Sequence, residues 1–550
     1  MAIFVAGSKM SLTWSQMVAA FFLTSLCTGF CYPESSGTEF VTAFMENIAY
    51  YYRSSPTLKL HISALRKGTQ VNVSVVDQTF KATFTMSAGQ TKELILPSVL
   101  ELDKFNTSYK TVRVTSSSPV TVFSVNQKFT SFDTGMVQPV QNLGTEYRLA
   151  SPADPTDHLY QFVVINAQVA NTVTVSQPSQ EPLTVTLGPY ENAKFQSPKY
   201  PVSTLVTAQT PVAVLFGHPC VVKPQCQCGL VFEQLTPVSS WGRTFIVPSL
   251  SVADAKIKQT ILLVKSDGTG PESILPSEYL APPNSKVPTL MDTSLYIQAP
   301  MPVSISLLDF GVMALIPVER FSTCYLVHTF SWTQNFLLIV VKTADKEGVR
   351  LGEQPLSPGV TWVPVRNSDY SVALVDLRSM SMHRVVWHLT SKMGVYIIGK
   401  QSWFMGLFGS PALSLKVEPD GRKCRLYVGV LDLVQEEKSW ADAQAHCRNL
   451  NSQLASLDGE EFLLYAGREL NGTQQSAVWV GLRKGILSEK WGWLNREPME
   501  YTKWGSGQPN SSLYAQCGMM SVENLTCSAV SCCDQLPSIC FEPGREVPFP

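Results

Sequence analysis

The sequence predicts a multidomain protein: all-β tandem sandwich-like repeats followed by one α+β module. Three observations support this. Short β-branched runs separated by Pro, Gly, Ser and Asn fill residues 56–415. Within that region a Pro-Val strand recurs at a near-constant interval. Beyond about residue 424 cysteines concentrate and the first helical periodicity appears.

At 550 residues the chain is too long for one core. Its composition, 45% hydrophobic and 15% charged, supplies large cores and argues against extensive disorder. A formal net charge of −1 creates no global field, so neither nucleic acid nor an anionic membrane is an expected partner. Residues 1–29 read as a signal peptide: Lys9 precedes an apolar stretch at 17–23, and the small residues Thr28 and Gly29 follow, close to Cys31. Residues 30–55 read as an N-terminal linker. No later segment offers the roughly 18 uninterrupted apolar residues of a membrane span. The expectation is a secreted, extracellular protein. The 13 cysteines agree with export, and so do the sequons at Asn72, Asn106, Asn471, Asn510 and Asn524.

Three elements recur in order along 56–415. An apolar strand opens each unit: Leu58-Lys59-Leu60-His61-Ile62, Phe162-Val163-Val164-Ile165, Ile261-Leu262-Leu263-Val264 and Leu337-Leu338-Ile339-Val340-Val341. A second strand follows, at Pro119-Val120-Thr121-Val122-Phe123, Pro211-Val212-Ala213-Val214-Leu215 and Pro302-Val303-Ser304-Ile305-Ser306, with a proline-free fourth copy at Gly394-Val395-Tyr396-Ile397-Ile398. These begin 92, 91 and 92 residues apart (119 to 211, 211 to 302, 302 to 394). The third element is Pro139-Val140 leading to Gly144 and Tyr147, Pro237-Val238 leading to Gly242 and Phe245, and Pro317-Val318 leading to Ser322 and Tyr325. The interval predicts about four nearly helix-free units, each large enough for a small sandwich. It makes Val120, Val212, Val303 and Val395 equivalent, with proline at strand starts, where it is tolerated.

Some of these residues also carry a family resemblance. His218-Pro219-Cys220, leading through Cys226 and Cys228 to Glu233-Gln234-Leu235-Thr236-Pro237-Val238 and Trp241-Gly242, resembles the N-terminal domain of the IgGFc-binding protein family. Gly394-Val395-Tyr396-Ile397-Ile398-Gly399 and Leu407-Phe408-Gly409-Ser410-Pro411-Ala412 are similar to that domain's end. The resemblance covers roughly residues 40–415. It implies an extracellular module of mucus-associated and adhesive proteins, with immunoglobulin or mucin among the partners to test. His218 with Cys220, Cys226 and Cys228 is metal-like, but its spacing is not a standard zinc pattern. In an exported chain these cysteines are expected in disulfides, with Cys324 available to complete two bridges.

Residues 416–423 are polar and turn-rich and read as a linker. Ser439 then caps a helix, with Asp442 three residues on, and Trp440, Ala443, Cys447 and Leu450 share one face. A second helix is expected from Asp458 to Asn471-Gly472. The run Ser439-Trp440, Asp442-Ala443, Cys447 and Leu454-Ala455-Ser456-Leu457 resembles the start of a C-type lectin-like domain. Val478-Trp479-Val480-Gly481-Leu482 and Trp491-Gly492-Trp493-Leu494-Asn495 resemble its core strands, and Trp504 with Gly507-Gln508-Pro509-Asn510 its long loop. This resemblance spans 424–542 and leaves 543–550 as a tail. It implies bridges from Cys447 to Cys540 and from Cys517 to Cys532, with the adjacent Cys533 an alternative for the inner one. The pairing of Cys31, Cys424, Cys527 and Cys533 stays open.

The same resemblance implies a calcium site in the long loop that reads sugar hydroxyls. Gln508 and Asn510 match two ligand positions. Ala515 stands where an acidic ligand is expected, and Ser528 and Ala529 replace the later ones. Without a carboxylate, neutral amides do not offset dehydration of a divalent ion, so neither Ca²⁺ nor any other cofactor is expected. Gln508-Pro509-Asn510 then reads as a turn with a cis-proline.

No phosphate loop, nucleophile elbow or His-Glu-x-x-His motif is present, and the seven histidines are scattered. The expectation is a non-enzymatic recognition or adhesion protein, mucosal or immune, that binds protein or glycoprotein ligands. The alternatives are a carbohydrate-binding lectin and a disulfide-linked structural component of mucus.

Overall fold

The computed structural model describes residues 35–548, apart from internal stretches of which the longest are 50–54, 151–159, 197–202, 252–260, 275–288, 378–384, 401–406, 416–424, 458–462 and 495–501. The signal peptide, the 416–423 linker, Cys31, Cys226, Cys424 and Asn471 lie outside the described residues.

The first unit contains β1 (Gly37–Thr42), β2 (Thr57–Ala64), β3 (Thr69–Val75), β4 (Lys81–Met86), β5 (Thr91–Leu96), β6 (Val112–Lys128) and β7 (Ser131–Val137). Its sheet runs β4-β3-β6-β2-β5, with β1 and β7 also on β6. The 17-residue β6 serves both layers. Its first half pairs with β1 and β3, and its second half with β2 and β7. Alternate residues therefore point into one core, where Leu58, Leu60, Ile62, Val71, Val73, Val114, Val120 and Val122 are fully buried. Each contributes on the order of 1.5–3 kcal/mol of burial. The unit begins within residues 30–55, the expected linker. β1 is an integral strand, and its Phe40 is fully buried.

The second unit repeats this wiring with β8 (Gly144–Ala150), β9 (Gln161–Asn166), β10 (Asn171–Ser176), β11 (Leu183–Leu187), β12 (Asn192–Gln196), β13 (Ser203–Lys223) and β14 (Gln227–Gln234). Its order is β11-β10-β13-β9-β12, with β8 and β14 on β13. The third unit keeps β15 (Gly242–Val247), β16 (Ile261–Lys265) and β18 (Met313–Ala314) around β17 (Leu295–Leu307). In the fourth the central strand is split. β22 (Val385–Trp387) pairs with β19 (Cys324–Leu326), while β23 (Gly394–Lys400) pairs with β20 (Gln334–Lys342) and β24 (Leu407–Pro411), and β21 (Tyr370–Asp376) flanks β20. Among the described residues of 56–415 the helical turns are short 3₁₀ segments.

Two sequence expectations need correction. The recurring prolines do not start strands. Pro119, Pro211 and Pro302 lie within the long strands, where the register against β1, β8 and β15 slips. A bulge leaves a residue out of the ladder, so the missing N–H is harmless there. The fourth copy is also displaced by two residues. Gly37, Gly144 and Gly242 face Val120, Val212 and Val303 across the ladder. Their counterpart Ser322 faces Met393. The Tyr325 hydroxyl donates to the Met393 carbonyl at 2.8 Å, as the Tyr147 hydroxyl does to that of Val212 at 2.6 Å. Met393, not Val395, is therefore equivalent to the three valines.

Successive units interlock at one repeated joint. A Cβ added to Gly37 would sit 2.4 Å from Pro139 Cβ, one on Gly144 2.4 Å from Pro237 Cβ, and one on Gly242 2.2 Å from Pro317 Cβ. Each unit's opening glycine is thus covered by the proline that introduces the next unit. At the fourth copy the glycine is replaced by Ser322.

The array closes on itself. In β14, Phe232 donates its N–H to Asp133 Oδ2 of β7 at 2.7 Å, and Glu233 Oε1 accepts the Ala314 N–H of β18 at 3.0 Å. Phe408 of β24 meets Phe132 of β7 with ring centroids 5.4 Å apart. Phe123, Val125, Phe330, Phe408 and Leu413 form one buried cluster drawn from the first and fourth units. Ser35 N–H donates to Ser414 O at 3.2 Å. Equivalent strands of the four units thus meet around a shared centre.

The C-terminal module has β25 (Arg425–Lys438), α1 (Trp440–Asn449), β26 (Gln453–Leu454), β27 (Ala477–Lys484), β28 (Trp491–Trp493), β29 (Ala515–Ser521), β30 (Cys527–Ser531) and β31 (Leu536–Pro548). The sheet runs β25-β31-β27-β29-β30. Ser439 caps α1 by accepting the Asp442 N–H, and Trp440, Ala443 and Cys447 are buried as the periodicity predicts, whereas Leu450 is 49% exposed. The expected second helix is described only at Leu463, Ala466 and Gly467, which are helical. The expected tail at 543–550 is instead largely strand, since Val547 and Pro548 pair with Leu426 and Arg425.

Candidate functional site

The long loop of the C-terminal module is anchored by the frame beneath it. Cys447 of α1 is bridged to Cys540 of β31, with Cα atoms 5.3 Å apart. Cys517 of β29 is bridged to Cys532, with Cα atoms 5.1 Å apart. Trp440 and Trp479 are buried with these sulfurs, and their indole N–H groups donate to Val480 O at 2.9 Å and Lys438 O at 2.7 Å. Cys533 is a free, exposed thiol. Cys527 is free and buried, and burial pushes its thiol up to about 12.

Upon this frame, residues 503–508 run beside 524–529. Cys527 N–H donates to Lys503 O at 2.7 Å, and Gly505 N–H to Cys527 O at 2.9 Å. The Trp504 ring packs edge-on against Trp491 at 5.2 Å, on the fringe of the core, so it serves packing. The Gln508–Pro509 peptide is cis. Gln508 Oε1 accepts two backbone N–H bonds, from Asn510 and from Ala529, each at 2.9 Å. A carbonyl oxygen has two lone pairs, and both are engaged. Asn510 Oδ1 accepts the Ser512 N–H at 3.0 Å. The two amides expected as cation ligands are therefore committed to holding the loop. Ala515 and Ala529 are buried at 6% and 4% exposure and bring no charge. Among the described residues no three acidic, His or Cys side chains gather as a metal cage. These donors do not fit Ca²⁺, which takes six to eight oxygens and depends on ligand charge.

Of the metal-like cluster of the β region, the structure describes the side chains of His218 and Cys220. Cys220 and Cys324 are both in disulfides. His218 is fully buried, and its Nδ1 accepts the Cys220 N–H at 3.1 Å. Cys228 lies in β14.

Two buried polar groups escaped the sequence reading. At the centre of the closed array, Glu233 Oε1 holds the Ala314 N–H, while Oε2 is sealed from solvent and has no hydrogen-bond partner among the described residues. Burial, aided by nearby Asp133, raises this carboxyl to about 8. At the junction of the first and fourth units, His328 Nε2 and His61 Nδ1 lie 3.2 Å apart. His61 Nε2 is 3.2 Å from Glu93 Oε2, and Lys59 is 2.9 Å from Glu93 Oε1. The contact with His61, with help from Lys59, lowers the Glu93 carboxyl to about 2. Glu233 lies inside a motif visible in the sequence, but only the three-dimensional closure reveals its setting.

Comparison with known proteins follows the same division. The IgGFc binding protein family model matches residues 133–399, and the lectin C-type domain model matches residues 436–542. The first match starts within β7, although the preceding strands share its wiring. Human IgGFc-binding protein is 26% identical over 394 residues, covering 66% of this chain and 7% of that protein. Human lymphocyte antigen 75 is 27% identical over 111 residues, covering 20% of this chain and 6% of that protein. The chain therefore spans only a small part of either relative. Mouse lithostathine-1 is 32% identical over 88 residues, 15% of this chain and 52% of that protein. The solved structure of human lithostathine is 23% identical, covering 20% of this chain and 82% of that chain, with a TM-score of 0.20.

Proposed function

We propose that this chain, which carries an IgGFc-binding-family region followed by a C-type lectin domain, is a secreted recognition protein that binds an extracellular protein or glycoprotein without calcium and without catalysis. One observation carries the calcium-independent part: both lone pairs of Gln508 Oε1 are held by backbone N–H groups. A sugar reader that works through a shared cation needs that oxygen free. Support for recognition comes from the pairing of two binding-type modules in one chain. Immunoglobulin Fc and mucin glycoproteins are the ligands to test first.

The experiment is binding of the full chain to immobilised immunoglobulin Fc, to mucin and to a glycan array, each with and without chelator. Capture of a protein or glycoprotein unchanged by chelator supports the proposal. Binding to free glycans that chelator abolishes overturns it in favour of a carbohydrate lectin. The exposed Cys533 thiol favours a second reading, a disulfide-linked multimer, which a non-reducing gel of the secreted chain decides.

A further inference from the structure

Four sequon asparagines, Asn72, Asn106, Asn510 and Asn524, are exposed in the structure. Two of them bracket the long-loop ribbon. At one end the Asn524 carbonyl accepts Lys503 Nζ at 3.2 Å. At the other, Gln508 Oε1 ties the backbone of Asn510 to Ala529. Asn510 Oδ1 accepts the Ser512 N–H in an exposed local turn, which leaves its Nδ2 unbonded among the described residues. The buried asparagines behave differently. Asn171 Nδ2 donates to Asn166 Oδ1 and Thr210 O, and Asn171 Oδ1 accepts the Gln209 and Thr210 N–H groups. Four residues on from Asn510 in sequence, Tyr514 is 84% exposed, the most open large apolar side chain among the described residues.

We infer that this face of the lectin domain bears glycans rather than reading them: N-linked chains on Asn510 and Asn524 cover the 503–508 ribbon and the Tyr514 ring. In each transfer Asn Nδ2 attacks C1 of a lipid-diphosphate-linked oligosaccharide. The N–C1 bond forms, the C1–O bond to diphosphate breaks, and the amide releases one proton. No redox partner is needed. The donor belongs to the secretory compartment, so the inference rests on the export proposed above. Asn510 is then doubly unsuited to be a cation ligand, because its Oδ1 shapes the loop and its Nδ2 carries a glycan. Ligand recognition moves to other surfaces of the chain.

The test is glycopeptide mapping of the full chain secreted from eukaryotic cells, with enzymatic deglycosylation in heavy-oxygen water to mark each occupied asparagine. It is paired with hydroxyl-radical footprinting of Tyr514 in the native chain and in Asn510→Gln. The expected result is occupancy at Asn510 and Asn524, with Tyr514 oxidation rising severalfold in Asn510→Gln. Glycans on Asn72 and Asn106 with Asn510 bare would overturn the inference and leave export standing. No glycan on any of the four would overturn both. An occupied Asn510 with unchanged Tyr514 oxidation would show that the face is decorated but not covered, which also defeats the inference.

Discussion

Replacing Glu233 with glutamine tests whether the four β units truly close around a shared centre. The carboxyl is raised from 4.5 to about 8 by burial against Asp133. An acid whose folded value is raised stabilises the fold fully below its unfolded value, and that stability is lost as pH climbs through the folded value. For Glu233 the window runs from about pH 4.5 to about pH 8. At about 1.4 kcal/mol per unit, the loss at neutral pH is about 3 kcal/mol, rising to about 5 kcal/mol above the window. Glutamine is the shape of the protonated acid. It keeps the oxygen that accepts the Ala314 N–H and never ionises. Thermal unfolding of both full chains across this pH range is the assay. The two should agree near pH 4.5, and Glu233→Gln should be increasingly the more stable toward about pH 8.5. Parallel profiles, or a variant that is less stable throughout, would refute the buried-carboxyl reasoning and with it the sealed centre.

Gly144→Ala should destabilise by about 1–3 kcal/mol, because its methyl would overlap Pro237. Gly359→Ala, with nothing within 4 Å, is the neutral control by denaturant melt. Gln508→Ala should cost about 1–2 kcal/mol, because the part-buried Ala529 N–H loses its acceptor while the exposed Asn510 N–H turns to water. Neither chelator nor millimolar Ca²⁺ should move the melting temperature of the parent, since only a ligand of the folded state raises it. Native alkylation followed by peptide mapping should label Cys533 and spare Cys527, whose thiol is buried and raised to about 12. Removing the bridge with Cys447→Ser and Cys540→Ser should cost about 2–5 kcal/mol and loosen α1 in hydrogen exchange.

The lectin module was the most legible part of the sequence. Its tryptophans, cysteines and cap sit at fixed local spacings, and the structure places Trp440, Trp479 and both bridges as expected. The repeats were legible in number but not fully in register. Side chains alternate with a period of two, so a two-residue slip keeps every inward residue inward. Val395 and Met393 are both fully buried, and the cross-strand partner Ser322 and the Tyr325 hydroxyl tell them apart. β1 reads as linker because its partner β6 lies some seventy residues on in sequence. Closure of the array was invisible for the same reason. His61 and His328 meet across 267 residues, and no local pattern encodes such a contact. The loop chemistry was half legible. The missing carboxylates could be counted, but the engagement of Gln508 Oε1 by Ala529 needed coordinates.

The hydrogen bond from Ser35 to Ser414 has a mechanical consequence. In a string of sandwiches, tension between the two ends passes through every unit in series, and the weakest unfolds first. Here Ser35, just ahead of the first unit's opening strand, is clasped to Ser414, in the last strand of the fourth unit, through backbone and hydroxyl contacts. A pull applied between the segment before Ser35 and the lectin domain loads that clasp and its aromatic packing first, while the second and third units hang as an unloaded loop. Stretched as a single molecule, the chain should therefore yield in one early step at the clasp, and sequential unfolding of individual sandwiches should begin only after it.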